Sequence, residues 1–428
     1  MVLFNAGIGL YRSHYLNLQT SVKKEECHHM SGVTKHIFDH EIRDIVTMWN
    51  NQLKFIQTVL PSNYTDDDIV SSMKHYYPHE WNSVEFKYSY YLAKDKYIKK
   101  HFGKIRYGMQ KPEILLQSVV LYKQIVSPEY RKVYSNNYSE EKYQIAVNEL
   151  FGERKPKIDK VNQKIEKALA KTQQVTPSFI DQLIGLYERI NTIQKEKMYI
   201  LLELKKYYSP KIIQFFFKLN DTELNKQLRW EAFYHLQGFN YQPRARKQKY
   251  MHVHTNNAKR KEFLKDVYPN QTYTIPQNPY ELEYRIENSK EQKLKEYDFF
   301  ISHSSKDSFS VQELIRFENQ QGKNIFCDWI NDVDYLKRHL VCAATLNVIE
   351  KRLEQSEALI FVASNNSMDS IWCKYELNYF TELEKPMFII EKEDIGRKKF
   401  DLKPLTNNWY IDSNYKNLAL LESSRVLI

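Results

Sequence analysis

Tyr297-Asp298-Phe299-Phe300-Ile301-Ser302-His303-Ser304-Ser305-Lys306-Asp307 decides how the last third of the chain is read. An aromatic and aliphatic run that gives way at once to small hydroxylated and charged residues predicts a buried strand ending in a polar loop. Downstream, short apolar runs alternate with helical ones, the signature of a parallel sheet with crossover helices. Strands are predicted at Tyr297 to Ile301, Asn324 to Asp328, Ala358 to Ala363, Met387 to Ile390 and, more weakly, Trp409 to Ile411. Helices are predicted between them, at Ser308 to Gln320, Cys342 to Glu354 and Ile371 to Leu383. The fold class is a doubly wound α/β sheet of five parallel strands.

In such a sheet ligands bind beyond the carboxyl ends of the strands, so the residues that follow each strand carry the information. After the first come Ser302 and His303, after the second Asp328 and Trp329, after the third Ser364-Asn365-Asn366-Ser367. A helix opening at Asp369 or Ser370 then sets Trp372 and Glu376 four residues apart, on one face. A carboxylate beside an indole near the crevice has the makings of a catalytic constellation, although spacing alone is a weak signal. Asp307 reads as the cap of the helix that starts at Ser308. Cys373 reads as helix packing, since no base stands beside it in sequence.

The resemblance then becomes specific. Tyr297 to Asp307 is similar to the first conserved box of Toll/interleukin-1 receptor (TIR) domains, and Ser370-Ile371-Trp372-Cys373-Lys374-Tyr375-Glu376-Leu377 resembles the Ser-x-Trp-Cys-x-x-Glu-Leu stretch of that superfamily. Phe326-Cys327-Asp328-Trp329 and Ala358 to Ser364 sit in the order and spacing of its second and third strands. The match runs from Tyr297 to Asp412 and is nearest to bacterial TIR proteins. It implies a flavodoxin-like TIR domain that cleaves the nicotinamide–ribose bond of NAD+, with Glu376 catalytic, Trp372 and Trp329 as aromatic walls, and Ser302, His303 and Asp328 contacting substrate. NAD+ is then a substrate and no cofactor is implied. Assembly into a homo-oligomer through TIR domains is implied as well. The family's loop after the second strand often carries an Arg-Asp pair and a Pro-Gly, and Trp329 to Arg338 has neither glycine nor proline. That departure turns the reading from a receptor adaptor toward a bacterial enzyme in antiphage or stress defence. The alternative is a non-catalytic scaffold that signals by homotypic contacts.

The first 290 residues read differently. They carry a net charge of +14, against −4 for the remainder, and their apolar spacing is helical. Thr65 before Asp66, Asp67 and Asp68 predicts a capped helix that stops before Pro78. Phe179, Leu183, Leu186, Ile190 and Ile193, continued by Leu201 and Leu204, predict one long helix opened by Thr176-Pro177 and ending near Tyr208. Glu153 to Lys171 is Lys-rich and weakly apolar, hence a solvated helix or a boundary near 150–175. From Tyr241 to Lys265 basic residues crowd among aromatics: Arg244, Arg246, Lys247, Lys249, Lys259, Arg260, Lys261 and Lys265. This segment suits nucleic acid or a phosphorylated ligand, although a solvated connecting surface is the plainer reading. Pro269, Pro276 and Pro279 mark a linker and Glu281 to Lys295 a helix leading into the last domain. The expected layout is a helical sensor or assembly region over 1–240, a basic segment and linker over 241–295, and the TIR domain over 296–428.

Other classes are disfavoured. Cys27, Cys327, Cys342 and Cys373 lack disulfide or zinc spacing, and Cys27-His28-His29 or His75 with His79 lacks a complete ligand set, so no metal is expected. The apolar start Met1 to Tyr11 has no basic flank or cleavage site, and the best apolar run, Lys211 to Leu219, is broken by Gln214 and Lys218. A cytoplasmic protein without a membrane segment is expected.

Overall fold

The computed structural model of the protein describes residues 33–189, 191–243, 271–337 and 340–417. The basic stretch Arg244 to Lys265 and Cys27-His28-His29 lie outside them. The helical part comprises α1 (Val33–Ile56), α2 (Asp66–Tyr76), α3 (Pro78–Phe102), α4 (Pro112–Gln117), α5 (Val120–Ile125), α6 (Pro128–Asn136), α7 (Glu140–Leu169), α8 (Phe179–Glu188), α9 (Gln194–Leu204), α10 (Pro210–Thr222) and α11 (Lys226–Gly238). One apolar cluster runs through these helices from Phe38 to Phe239, with Trp49 stacked on Trp81 at 5.5 Å near its centre.

Local chemistry sets the helix ends. At α2 the Asp68 N–H donates to Thr65 Oγ1 at 3.3 Å and the Thr65 N–H donates to the Asp68 carboxylate at 2.7 Å, a reciprocal cap that satisfies two otherwise orphaned donors. Pro78 stops α2 and opens α3, which ends at Gly103 with a left-handed φ of 67° that any Cβ would strain. Thr65→Ala is expected to cost about 1 kcal/mol, read as a lower midpoint of denaturant unfolding. An unchanged midpoint would show the cap to be idle.

The structure corrects two readings here. The single helix expected from Thr176 to Tyr208 is α8 and α9, because Arg189 is extended and Thr192 Oγ1 donates to the Leu186 carbonyl at 2.6 Å, closing the first helix. Ile193 consequently stands 59% exposed instead of lying on the buried stripe, and Ile190 is outside the described residues. The linker expected around Pro279 is instead ordered packing. Pro279 is buried at the first position of α12 (Pro279–Asn288), whose Leu282 and Ile286 pack with Tyr335 and Val348, and α13 (Lys290–Lys293) follows. Helix α7 matches its Lys-rich composition, since only Leu150 of its 30 residues is buried.

The α/β domain follows as β1 (Tyr297–Ser302), α14 (Ser308–Gln320), β2 (Ile325–Phe326), α15 (Asp328–Asn331), α16 (Ala343–Glu354), β3 (Ser356–Ala363), α17 (Asn365–Met368), α18 (Ile371–Glu382), β4 (Met387–Glu391), α19 (Lys392–Gly396) and β5 (Lys403–Pro404). The sheet order is β2-β1-β3-β4-β5. The first four strands pair in parallel, and β5 pairs antiparallel with β4 through Phe388↔Pro404 and Ile389↔Lys403. The five strands are therefore mostly parallel, and Trp409 to Ile411 is not the fifth. Trp409 packs beside the Phe361 ring at 5.6 Å, and the Tyr410 carbonyl accepts from Asn378 Nδ2 at 2.7 Å. A proline with no N–H to donate suits β5 to the sheet edge.

Alternate strand residues feed two cores. Phe326, Leu359 and Phe361 pack with Leu353 of α16 and Leu377 and Phe380 of α18. Ile301, Ile325, Ile360 and Val362 pack with Leu314 of α14, Ile330 of α15 and Ile395 of α19. This three-layer arrangement brings the loops after β1, β2 and β3 to one end.

Candidate active site

The site is assembled where those loops meet. Ser302, the last residue of β1, is fully buried with a hydroxyl that has no hydrogen-bond partner. Ser370 caps α18 by accepting from the Cys373 N–H at 3.3 Å, which aims the first turns of that helix at the strand ends. Glu376 follows. The residue as a whole is half-buried, but its Oε2 is sequestered and makes no hydrogen bond. Burial raises the Glu376 carboxyl to about 8, the Ser302 hydroxyl pulls the other way, and the Asp328 carboxylate adds to the rise. A buried carboxylate without a partner is costly, and such costs gather where charge has a task.

His303 has one assignable state. The Trp329 indole donates from Nε1 to His303 Nε2 at 3.0 Å, and an indole N–H can only donate. The imidazole must then be neutral at Nε2 and carry its proton on Nδ1, which donates to the Ile301 carbonyl at 3.1 Å. The ring anchors Trp329 and has no free nitrogen for a phosphate. Asp328 Oδ1 lies 4.0 Å from His303 Nε2 and its side chain is 53% exposed, so it presents negative charge at the mouth.

Ser302, His303, Asp328, Trp329 and Glu376 are thus gathered at the strand ends. Trp372 belongs to the opposite layer from Trp329: it packs against the Leu377–Phe380 core and against Leu346, Tyr375 and Tyr415, whereas Trp329 packs with Ile301 and Ile330. Asp307 does not cap α14, contrary to expectation. Its carboxylate accepts from Ser364 Oγ at 2.5 Å, Lys392 Nζ at 2.7 Å and Asn366 Nδ2 at 3.0 Å, stitching together the loops after β1, β3 and β4. Burial would raise this carboxyl, but the Lys392, Ser364 and Asn366 hydrogen bonds outweigh it and hold the pKa low. No sequence signal marked this role, because its partners come from two distant loops.

Among the described residues the buried cysteines are poorly suited as nucleophiles. Cys327, Cys342 and Cys373 are free and buried, and burial pushes the Cys373 thiol up to about 12 and the Cys327 thiol well above its ordinary range. His303, Cys327 and Asp328 bring ligand-type atoms within 4.8 Å. Both imidazole nitrogens are committed to hydrogen bonds, so the trio is a poor metal site. Among the described residues no helix is long and apolar enough to cross a membrane.

Known proteins similar to this chain are bacterial TIR proteins and, over a shorter stretch, Toll-like receptors. The family model described as the TIR-like domain of Thoeris protein ThsB matches residues 300–395. A Cytobacillus dafuensis protein provisionally named cyclic ADP-D-ribose synthase TIR2 is 35% identical over 385 residues, which is 89% of this chain and 98% of that protein. A Bacillus cereus (strain MSX-D12) protein provisionally named 3' cyclic ADP-D-ribose synthase ThsB' is 33% identical over 98 residues, 23% of this chain and 50% of that protein. Toll-like receptor 2 of Bison bison is 33% identical over 107 residues, 24% of this chain and 13% of the receptor. No solved structure matches the chain.

Proposed function

Because the chain belongs to the bacterial TIR-domain protein family, we propose that it is an NAD+-cleaving enzyme of the cyclic ADP-ribose synthase type, with Glu376 as its catalytic carboxylate. The observation that carries this reading is the sequestered, unpartnered Oε2 of Glu376 at the carboxyl ends of the parallel strands. The relative matched along 98% of its length bears the name of such a synthase.

The chemistry needs little else. When the nicotinamide–ribose bond breaks, its electron pair goes to the ring nitrogen and neutralises the pyridinium, so the leaving group needs no proton. Positive charge grows on the ribose instead, and a fixed carboxylate in a low-dielectric crevice stabilises it. Glu376 supplies that charge and Ser302 a hydroxyl beside it. Asp328 at the mouth attracts the cationic nicotinamide end, and Trp329 and Trp372 offer aromatic surface from either side of the sheet. A hydroxyl or ring nitrogen of the same molecule then attacks the ribose carbon and gives a cyclic product. Attack by water gives ADP-ribose. A hydroxyl or water loses a proton as it attacks, and Glu376 accepts it; a ring nitrogen attacks through its lone pair and has no proton to give up.

The cellular setting we propose is that of a cytoplasmic antiphage effector whose helical region senses a trigger, and whose TIR domains work as a homo-oligomer. The composition of the basic segment Arg244 to Lys265 suits contact with nucleic acid or a phosphorylated ligand. Chromatography of the products formed from NAD+, at high protein concentration and with candidate triggers, tests the activity. Nicotinamide with a cyclic nucleotide or ADP-ribose is expected from the wild type and neither from Glu376→Ala. Intact NAD+ with both proteins would refute the function, and equal cleavage by both would refute the role of Glu376.

A further inference from the structure

We propose that Gln173, in the helical region, is a positioning residue for the reaction: its side-chain amide clamps α15 and so fixes Trp329 at the site. The proposal rests on the active-site reading above.

The observations begin at the β2 edge of the sheet. Strand β2 is an edge strand of two residues, and an edge leaves backbone donors and acceptors unpaired. Here one side chain takes the place of a neighbouring strand. The Ile325 N–H donates to Gln173 Oε1 at 2.9 Å, and Gln173 Nε2 donates to the Ile325 carbonyl. The same Oε1 also accepts from Asn319 Nδ2 at 3.2 Å, and the same Nε2 donates to Asn331 Oδ1 at 3.1 Å. All four hydrogen-bonding positions of the amide are thereby used. The residue is fully buried.

Its backbone is anchored in the helical region. The Gln173 N–H donates to the Lys206 carbonyl at 2.9 Å, and the Gln173 carbonyl accepts from the Tyr208 N–H at 2.8 Å. The next residue repeats the attachment, with the Gln174 N–H donating to Asn319 Oδ1 at 2.8 Å.

The clamp reaches the site in two steps. Asn331 Oδ1, held by Gln173, also accepts from the Cys327 N–H at 2.9 Å, so one amide fixes both ends of the four-residue helix α15. That helix carries Asp328 and Trp329, and the Trp329 indole in turn holds His303. A helix of four residues has almost no stability of its own, so its position depends on such ties. Misplacing a wall of a reaction site by about 1 Å can cost on the order of a hundredfold in rate.

The test uses the full chain with Gln173→Met, which keeps the length of the side chain and removes every side-chain hydrogen bond. Gln173→Glu is a second variant that retains the two acceptor bonds and loses both donor bonds, to the Ile325 carbonyl and to Asn331 Oδ1. Trp329 emission is isolated by subtracting the spectrum of the same protein carrying Trp329→Phe. The expected result is a shifted Trp329 emission together with a fall of about tenfold or more in kcat for NAD+, KM moving by less than about threefold. A folded Gln173→Met protein with wild-type emission overturns the proposal, whether or not kcat falls. So does a shifted emission with unchanged kcat. If Gln173→Met does not fold, Gln173→Glu decides by the same criteria. Should the wild type never turn over NAD+, the proposed function fails, while the emission arm still decides whether Gln173 positions Trp329.

Discussion

Glu376→Gln is expected to lower NAD+ cleavage by a thousandfold or more and at the same time to make the protein more stable above pH 8. The first effect follows from electrostatics, since the amide offers no charge to the ribosyl cation. Removing one preorganised electrostatic partner commonly costs on the order of 10²–10³ in rate, and here the same group is also the proton acceptor. The second effect follows from linkage. The folded state holds the Glu376 proton up to about 8, against 4.5 for the free group, so between those values the folded chain binds more protons than the unfolded one. Stability therefore falls as pH rises from about 4.5 to about 8 and is flat beyond. The glutamine variant removes that slope.

The pH profile of the reaction separates this role from a structural one. Because the working form is the carboxylate, kcat/KM is expected to rise with pH through a single ionisation near 8 in the wild type. The kcat profile should be displaced to lower pH, since a bound nicotinamide cation favours the anion. Chemical denaturation and initial rates between pH 6 and 9.5, on wild type and Glu376→Gln, decide the matter. A wild-type rate independent of pH across that range would sink the assignment.

How much of this was written in the local sequence depends on how local the cause is. Strands β1, β3 and β4, helix α14 and the Ser370 cap of α18 each follow from a contiguous apolar run or a single capping residue, and the structure has them within a residue or two of expectation. The two-residue strands were not legible in this way. β5 exists because β4 has a free edge for it, and from the stronger apolar run Trp409 and Tyr410 are taken up by the core under α18 while Ile411 stays exposed. The break between α8 and α9 was hidden because apolar residues continue at helical spacing across it. In the site, Glu376, Ser302 and Trp329 stand beside strand ends or a cap and could be picked out once the family pattern was recognised. Gln173, Asn331 and Asp307 could not, since each acts on a segment remote in sequence and an isolated Gln, Asn or Asp carries no sign of its partner.

The same limit hid the element with the largest expected effect on stability. Glu203 and Lys206 from the helical region meet Lys295, Asp332 and Arg352, and all five side chains are at most 7% exposed. Arg352 Nε donates to Asp332 Oδ2 at 2.7 Å, Lys295 Nζ lies 2.5 Å from Glu203 Oε2, and Lys206 Nζ lies 3.5 Å from Asp332 Oδ1. Three cations share two carboxylates. Burial and the Arg352 guanidinium push the Lys295 ammonium down to about 7, with Glu203 and Asp332 resisting. Asp332→Asn leaves three buried cations with one carboxylate, and breaking a buried pair in this way typically costs about 3–5 kcal/mol. That is a large part of the roughly 5–15 kcal/mol by which a folded domain is held.

The deficit should depend on pH in a definite direction. Without Asp332 the Lys295 pKa falls further, so the folded state sheds a proton that the unfolded chain keeps up to about 10.5. Stability of the variant then rises with pH over that window, and its shortfall against wild type is greater at pH 6 than at pH 9. Adding Arg352→Met, which removes one of the surplus cations, is expected to restore part of the loss, a coupling that a double-mutant cycle reads directly. Urea denaturation of the wild type, both single variants and the double variant at the two pH values supplies the numbers. A single variant within about 0.5 kcal/mol of wild type, the scatter of an ordinary surface substitution, would mean that these charges do not hold the helical region to the TIR domain.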